Sequence, residues 1–359
     1  MMIERNNPWL FIRLLICFLI LFPGIYSCSN KPSEASHFQT RGIILDVNDL
    51  GTYPWPKKAG EVGINTIAAH ITPRQVASFI LSERGKQFLK ECKEYGIEVE
   101  YELHAMADLL PRELFADDST MFRMNEEGKR MADYNLCVHS EEALATVSRN
   151  AINYARILTP TTGRFFYWID DGIPMCSCRH CKEYSDSEQA LILENRLIKE
   201  LRKEFGKNVS LAHLAYHNTI QAPVKVKPEE GIFLEFAPFQ RTWEKPIRDV
   251  TAKRGDSHIS HGDYLKYLEE NLKVFPSGTA QILEYWLDVS LFSGWQKPAR
   301  QLPWNKEVFL SDIDTYARYG IKHVTSFGVY MDSTYFNRYS DTSFLEEYGE
   351  GLKNYISNE

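Results

Sequence analysis

Eight short apolar runs recur from residue 42 almost to the end of the chain, most of them followed by a stretch of helical periodicity. This alternation constrains the fold more than any other feature. The runs are GIILDVN (42–48), INTIAAHI (64–71), IEVEYELHA (97–105), RFFYWIDD (164–171), VSLAHLAYH (209–217), GIFLEFAP (231–238), AQILEYWLD (280–288) and IKHVTSFGVY (321–330). Amphipathic segments occupy 74–95, 141–158, 184–205, 261–275, 306–320 and 343–356. Helix punctuation marks several of them: Thr72-Pro73 before one, Ser140 ahead of Glu141 and Glu142, and Tyr-Gly at 95–96 and 319–320. Near-continuously apolar strands must be covered on both faces, and right-handed crossovers put their helices outside. Eight such units predict a closed (β/α)8 TIM barrel of the α/β class, a single domain over residues 41–359. The connections 49–63 and 218–230 have room only for short helices. An open doubly wound sheet would want a G-x-G-x-x-G after the first strand, and none is there.

The amino terminus reads as a targeting segment rather than as fold. Arg5 and Arg13 precede LLICFLILF, an apolar stretch too short to span a bilayer comfortably, and Pro23-Gly24 break it. Residues 1–27 are therefore expected to be an export signal of lipoprotein type, with Ser27 before Cys28 as the lipobox-like end. Cys28 is the expected lipidation site and 28–40 a polar tether, which makes the protein exported and lipid-anchored to a bacterial membrane. A net charge of −7 with no basic run gives nothing to neutralise a phosphate backbone, so nucleic acid is excluded as a partner. Oligomeric state leaves no mark in the sequence.

In a barrel of this kind the site lies where the strands end, and side-chain alternation decides which residues reach it. In QILEYWLD, Leu283 and Leu287 suit the helix layer, which puts Glu284, Trp286 and Asp288 on the inner face. The same reasoning turns Glu235, Glu100, Glu102, His104, His70 and Asp46 inward, although Glu100, Glu102 and Asp46 also fit a satisfied internal network. Asp170 and Asp171 fall on opposite faces. Trp168, Tyr216, Tyr285, Trp286 and Tyr330 would then join these acids and histidines at one mouth. Aromatic faces beside carboxylates suit a carbohydrate, because a sugar ring offers C–H faces and hydroxyls together. The expected substrate-binding set is Asp46, His70, His104, Trp168, Tyr216, His217, Trp286, Asp288 and Tyr330. For cleavage, Asp171 is the expected acid and Glu284 the negative partner, with Asp170 and Glu235 in reserve. A metal-dependent hydrolase would want an H-x-H at the first strand, and LDVND has none.

Cys137, Cys176, Cys178 and Cys181 remain once the signal, the lipidated position and the lone helical Cys92 are set aside. Either two disulfides or one structural four-thiolate zinc site accommodates them. In either form the cluster staples the loop beside Asp171. At NLCVHSEEA, YWIDDGIPMCSCRHC, LILENRLIKELRKEF and LAYHNTIQAPVKVKPEEGIFLEFAPFQR, the chain resembles a bacterial family, domain of unknown function 4838, over roughly residues 130–245. The resemblance implies a glycoside-hydrolase-like barrel exported by polysaccharide-degrading bacteria. It further implies hydrolysis of an O-glycosyl bond by two carboxylates, with no cofactor required for catalysis. In many retaining barrel glycosidases the acid follows strand four and the nucleophile strand seven, an analogy that matches Asp171 and Glu284. A surface glycan-binding lipoprotein that kept the barrel without turnover is the alternative.

Overall fold

The computed structural model describes residues 36–255 and 257–356. Cys28, the signal and the tether up to residue 35 lie outside the described residues. Eight parallel strands close into a barrel in sequential order: β1 (Thr40–Asp46), β2 (Thr66–Ile71), β3 (Glu98–His104), β4 (Arg164–Trp168), β5 (Ser210–Ala215), β6 (Ile232–Phe236), β7 (Gln281–Glu284) and β8 (His323–Phe327). All eight expected runs contain a strand. The fold takes up the chain at Ser36, a few residues before the expected end of the tether: Phe38 is fully buried, and the His37 N–H donates to the Tyr355 carbonyl at 3.1 Å.

The helices form where the sequence punctuates them. Thr72 accepts from the Gln75 N–H and Ser140 from the Ala143 N–H, satisfying orphan donors at the starts of Pro73–Leu81 and Glu141–Ile157. Ser185 and Glu188 form a reciprocal capping box that opens Asp186–Phe205. Gly96, at φ 67°, closes Glu83–Tyr95 in the left-handed conformation that glycine adopts without strain. The single helix expected at 74–95 is two, Pro73–Leu81 and Glu83–Tyr95, because Ser82 ends the first and caps the second. A Cβ at Gly85 would lie 2.0 Å from the Phe79 carbonyl oxygen, so glycine permits this tight reversal. The connection 49–63 holds the short Val47–Thr52 and Trp55–Val62, and after β5 only the 3-10 turn His217–Thr219 forms.

Two hydrophobic layers result. The larger packs helices on the outside of the barrel; the smaller fills its interior with Ile44, Ala68, Phe166, Ala212, Phe233 and Leu283 among others. The interior also holds a buried polar network. Arg164 donates to Gln281 Oε1 at 2.9 Å and lies 3.7 Å from Glu100, and Gln281 donates to Glu102 at 3.2 Å and to Glu235 at 3.0 Å. Glu100 and Glu102 thus belong to the internal network. Three carboxyls share one guanidinium here, and burial, then the neighbouring Glu235 and Glu100, holds Glu102 well above the usual carboxylate range. Glu102 therefore keeps its proton in the native state while the unfolded chain loses it above about pH 4.3, so its penalty on stability grows as pH rises through that range. Glu102→Gln is expected to be neutral at pH 4 and increasingly stabilising toward pH 8. Glu100→Gln, which takes from Arg164 its ion-pair partner, is expected to cost about 3 kcal/mol. Chemical denaturation of both variants across that pH range is the check.

Candidate functional site

The carboxyl ends of the strands surround a cavity of about 530 Å³. Asp46 ends β1, His70 lies in β2, His104 ends β3 and Trp168 ends β4; Leu283 belongs to β7 and Phe327 ends β8. Loops complete the wall with Asp171 after β4, Tyr216 and His217 after β5, Phe239 after β6, Tyr285, Asp288, Ser290 and Trp295 after β7, and Tyr330 after β8. Tyr285 and Phe327 stack at 5.3 Å with their planes 10° apart, while His70 and His104 meet edge to face at 5.5 Å. Below them the Trp168 indole donates to Glu235 at 2.7 Å, which joins the wall to the polar network inside the barrel.

Among the described residues, the non-glycine residues with positive φ are His217 at 44°, Trp295 at 56° and Tyr330 at 74°. All three line this cavity. Backbone held in a sparsely populated region persists only where its surroundings over-determine it, and such strain gathers at functional sites. At Tyr330 the determinant is visible: buried Asp49 accepts its N–H at 3.1 Å and also the N–H of Asp46 at 3.3 Å.

Three carboxyls face the cavity in different environments. Asp171 is exposed, and after burial its charge is the next cause that raises the Tyr216 hydroxyl above its usual range. Asp288 is buried, and its Oδ1 accepts from the Ser290 hydroxyl at 2.6 Å, the Ser290 N–H at 3.0 Å and the Leu291 N–H at 3.2 Å. Burial outweighs these bonds and pushes the Asp288 carboxyl up to about 6. Asp46 caps the helix that follows it, accepting from Asn48 N–H at 2.7 Å, and still reaches the cavity.

Of the expected substrate-binding set, Asp46, His70, His104, Trp168, Tyr216, His217, Asp288 and Tyr330 meet in this one cavity. Trp286 does not. Gln281 and Leu283 point into the barrel, so Glu284 and Trp286 point outward, the reverse of the expected alternation on β7. Glu284 is fully buried in the helix layer, 3.2 Å from Arg241, accepting from the Tyr316 hydroxyl at 2.5 Å and the Trp243 indole at 3.0 Å. The Trp286 indole donates to Asp312 at 2.9 Å, and its ring packs edge-on against Phe309 at 5.2 Å. Glu235 does face inward, but beneath Trp168 rather than in the cavity, and burial pushes its carboxyl up to about 8. Asp170 turns away from the cavity toward Arg112, at 3.5 Å. Of the four expected catalytic carboxylates, only Asp171 reaches the cavity.

Phe239, Ser290, Trp295 and Phe327 escaped the sequence reading. The signal for Trp295 was an aromatic in a Gly-containing turn just past a strand end, SGWQKP. It keeps 58% of its surface exposed whereas Trp286 keeps 4%, so Trp295 is the open aromatic platform and Trp286 is core. Trp286→Ala is accordingly expected to cost about 3–5 kcal/mol of stability and leave the ligand affinity of the folded protein unchanged. Trp295→Ala should do the opposite. Thermal melts beside glycan titrations separate the two.

Three of the four clustered cysteines sit on the loop that follows β4 and Asp171. Cys137, Cys176, Cys178 and Cys181 are buried, and their sulfur atoms all lie within 4.8 Å of one another, a group able to hold a metal ion. Cys137 Sγ is 3.8 Å from both Cys178 Sγ and Cys181 Sγ. A disulfide needs about 2.05 Å, whereas four thiolates around a tetrahedral zinc at about 2.3 Å stand about 3.8 Å apart. The surroundings suit thiolates: the Met124 N–H points at Cys176 Sγ at 3.2 Å, and His139 Nδ1 lies 3.3 Å from Cys181 Sγ. Gln189, reaching from the helix Asp186–Phe205, donates to the Cys176 carbonyl at 3.1 Å and the Cys181 carbonyl at 3.3 Å and so anchors the loop.

Comparison with solved structures finds the same barrel in several proteins. A beta-N-acetylhexosaminidase from Bacteroides fragilis NCTC 9343 superimposes with a TM-score of 0.53 at 12% identity, over 88% of this chain and 66% of that one. A family 5 glycoside hydrolase from Prevotella bryantii B14, solved with a xyloglucan tetradecasaccharide, gives 0.52 at 10% identity over 89% and 99%. A broad-specificity family 5 endoglucanase from an uncultured bacterium gives 0.50 at 12% identity over 84% and 85%. At such identities the likeness is one of fold, and the chain spans just under two thirds of the B. fragilis protein. No curated protein matches the sequence. The family model described as domain of unknown function DUF4838 matches residues 36–345, nearly all of the described barrel, and the chain belongs to that family.

Proposed function

We propose that this protein is a glycoside hydrolase whose carboxylate pair is Asp171 and Asp288. The observation that carries the reading is that these two acids, from the loops after β4 and β7 on different sides of the barrel, line one aromatic-walled cavity. Glycosidic cleavage needs a proton for the leaving oxygen and negative charge near an oxocarbenium-like centre, so the two carboxyls must live in different environments. Asp288, raised by burial, holds the proton; Asp171, open to solvent, supplies the charge or activates water. Trp295 and Tyr330 offer faces for the ring. The solved proteins with this barrel named above include glycosidases, which adds support by analogy. A screen of oligosaccharides with reducing-end detection tests the reading; release of a new reducing end by the parent and not by Asp288→Asn is the expected result.

A non-catalytic glycan-binding protein is the second reading, favoured by one observation: the acid that ends β7, Glu284, is committed to Arg241 and Tyr316 behind the wall. Binding of a glycan without product from any member of the screen would select it. The cysteine cluster we assign to structural zinc, on its sulfur spacing. Export and lipidation at Cys28 complete the proposal; among the described residues no helix is long and apolar enough to cross a membrane. Intact mass of the native protein, beginning at an acylated Cys28, is the test.

A further inference from the structure

Several of the polar groups lining the cavity are acceptors. Asp46, Asp171 and Asp288 present carboxyls. His70 Nδ1 lies 2.8 Å from the Glu102 carbonyl oxygen and His104 Nδ1 3.4 Å from that of Ile169. A carbonyl oxygen only accepts, so each Nδ1 carries the ring hydrogen and each Nε2 keeps its lone pair. Burial holds both rings below the usual histidine range, His70 at about 3, and both stay neutral. His217 is a donor, since its Nδ1 faces the Gln240 side-chain amide at 3.4 Å and leaves Nε2–H, and the Trp295 indole and the Tyr216 and Tyr285 hydroxyls also carry donor hydrogens on the wall.

Among the described residues lining the cavity none is lysine or arginine. Lys297 pairs with Asp332 at 2.7 Å and lies 4.8 Å from the Tyr330 ring centroid, Arg254 lies 5.9 Å from that of Phe239, and Arg112 faces Asp170. A ligand filling this space therefore meets acceptors and negative charge on several sides, with no fixed positive charge to receive an anion.

We infer that the sugar unit bound here carries no acidic group: it is a neutral or amine-bearing hexose whose O–H and N–H groups donate to Asp46, Asp171, His70 and His104, and uronic, sialic and sulfated sugars are excluded. The inference rests on the glycan reading and narrows it. Donor-rich hydroxyls satisfy buried acceptors that would otherwise be desolvated unpaired, whereas a carboxylate or sulfate leaves them unpaired and adds like-charge repulsion. An amine at the same place gains a charge-assisted bond.

The test is binding of the full folded barrel to an array of oligosaccharides that present the same backbones in neutral, amine-bearing and uronic or sulfated forms, at low ionic strength. Neutral or amine-bearing members bound at least tenfold more tightly than their acidic counterparts is the expected result. An acidic member bound as tightly as its neutral counterpart overturns the inference and leaves the glycan reading standing. A protein with an intact circular dichroism spectrum that binds no member overturns both. Asp171→Lys, at an exposed position, provides a second measure: the preference should move about tenfold toward acidic members, and an unmoved preference would show that charge is not what excludes them.

Discussion

Asp288→Asn and Asp171→Asn are each expected to lower turnover of a cleavable glycan by about 10³-fold or more while the barrel stays folded. Asparagine keeps the oxygen that accepts from Ser290 and Leu291, so the loop after β7 retains its hydrogen bonds and loses only the ionisable proton. Removing a carboxyl that burial has pushed up also removes a desolvation penalty, so Asp288→Asn should melt at or slightly above the parent temperature at pH 7. The pH profile adds a check that a structural role would not pass. If Asp288 must be protonated to act, kcat/KM falls as pH rises past about 6, and that limb disappears from the residual activity of the variant. Parent rates in either variant would remove that residue from the mechanism.

The second large effect concerns the metal. Native protein is expected to contain one zinc per chain, and removing it with a chelator, or replacing Cys181 with Ser, should lower the melting temperature by about 10 °C or more, since structural zinc contributes about 10 kcal/mol of binding free energy to the folded state. The four cysteines join two segments of distant sequence, the loop around Cys137 and the loop from Cys176 to Cys181, with Gln189 holding the second to its helix. Other bonds between them include Ser177 N–H to the Met124 carbonyl at 2.7 Å and the Asn135 side-chain amide to the Ile173 carbonyl at 3.2 Å. Denatured, metal-free chain should titrate all five cysteines of the described barrel as thiols, Cys92 included. One titratable thiol instead of five would mean two disulfides and would overturn the zinc assignment.

Much of the site was legible because strand ends in a closed barrel converge by geometry alone. Once eight runs are read as strands, Asp46, His70, His104 and Trp168 follow from a period of two within each run. Loop residues are another matter. Asp171, Tyr216 and Tyr330 could be named from their places near strand ends, Asp288 was named from an alternation that fails on β7 and reaches the cavity through the turn after Tyr285, and Trp295, eleven residues beyond β7, depends on a turn whose course the sequence does not specify.

The instructive error lies on β7. Read alone, QILEYWLD invites Leu283 outward and Glu284 inward, and the reverse holds. A buried glutamate faces whichever side supplies a positive partner, and that partner is Arg241, from the loop after β6, with Tyr316 of the helix Lys306–Arg318 supplying a further hydrogen bond. Neither is near Glu284 in sequence. The sequence by itself determined the barrel, its strand order and most of the mouth, because these follow from local periodicity and from the need to cover both faces of every strand. Which acid stands in the cavity and which is neutralised behind it was decided only by tertiary structure, because the free energy of a buried carboxylate depends on the charges and hydrogen-bond donors around it, and folding alone brings those together.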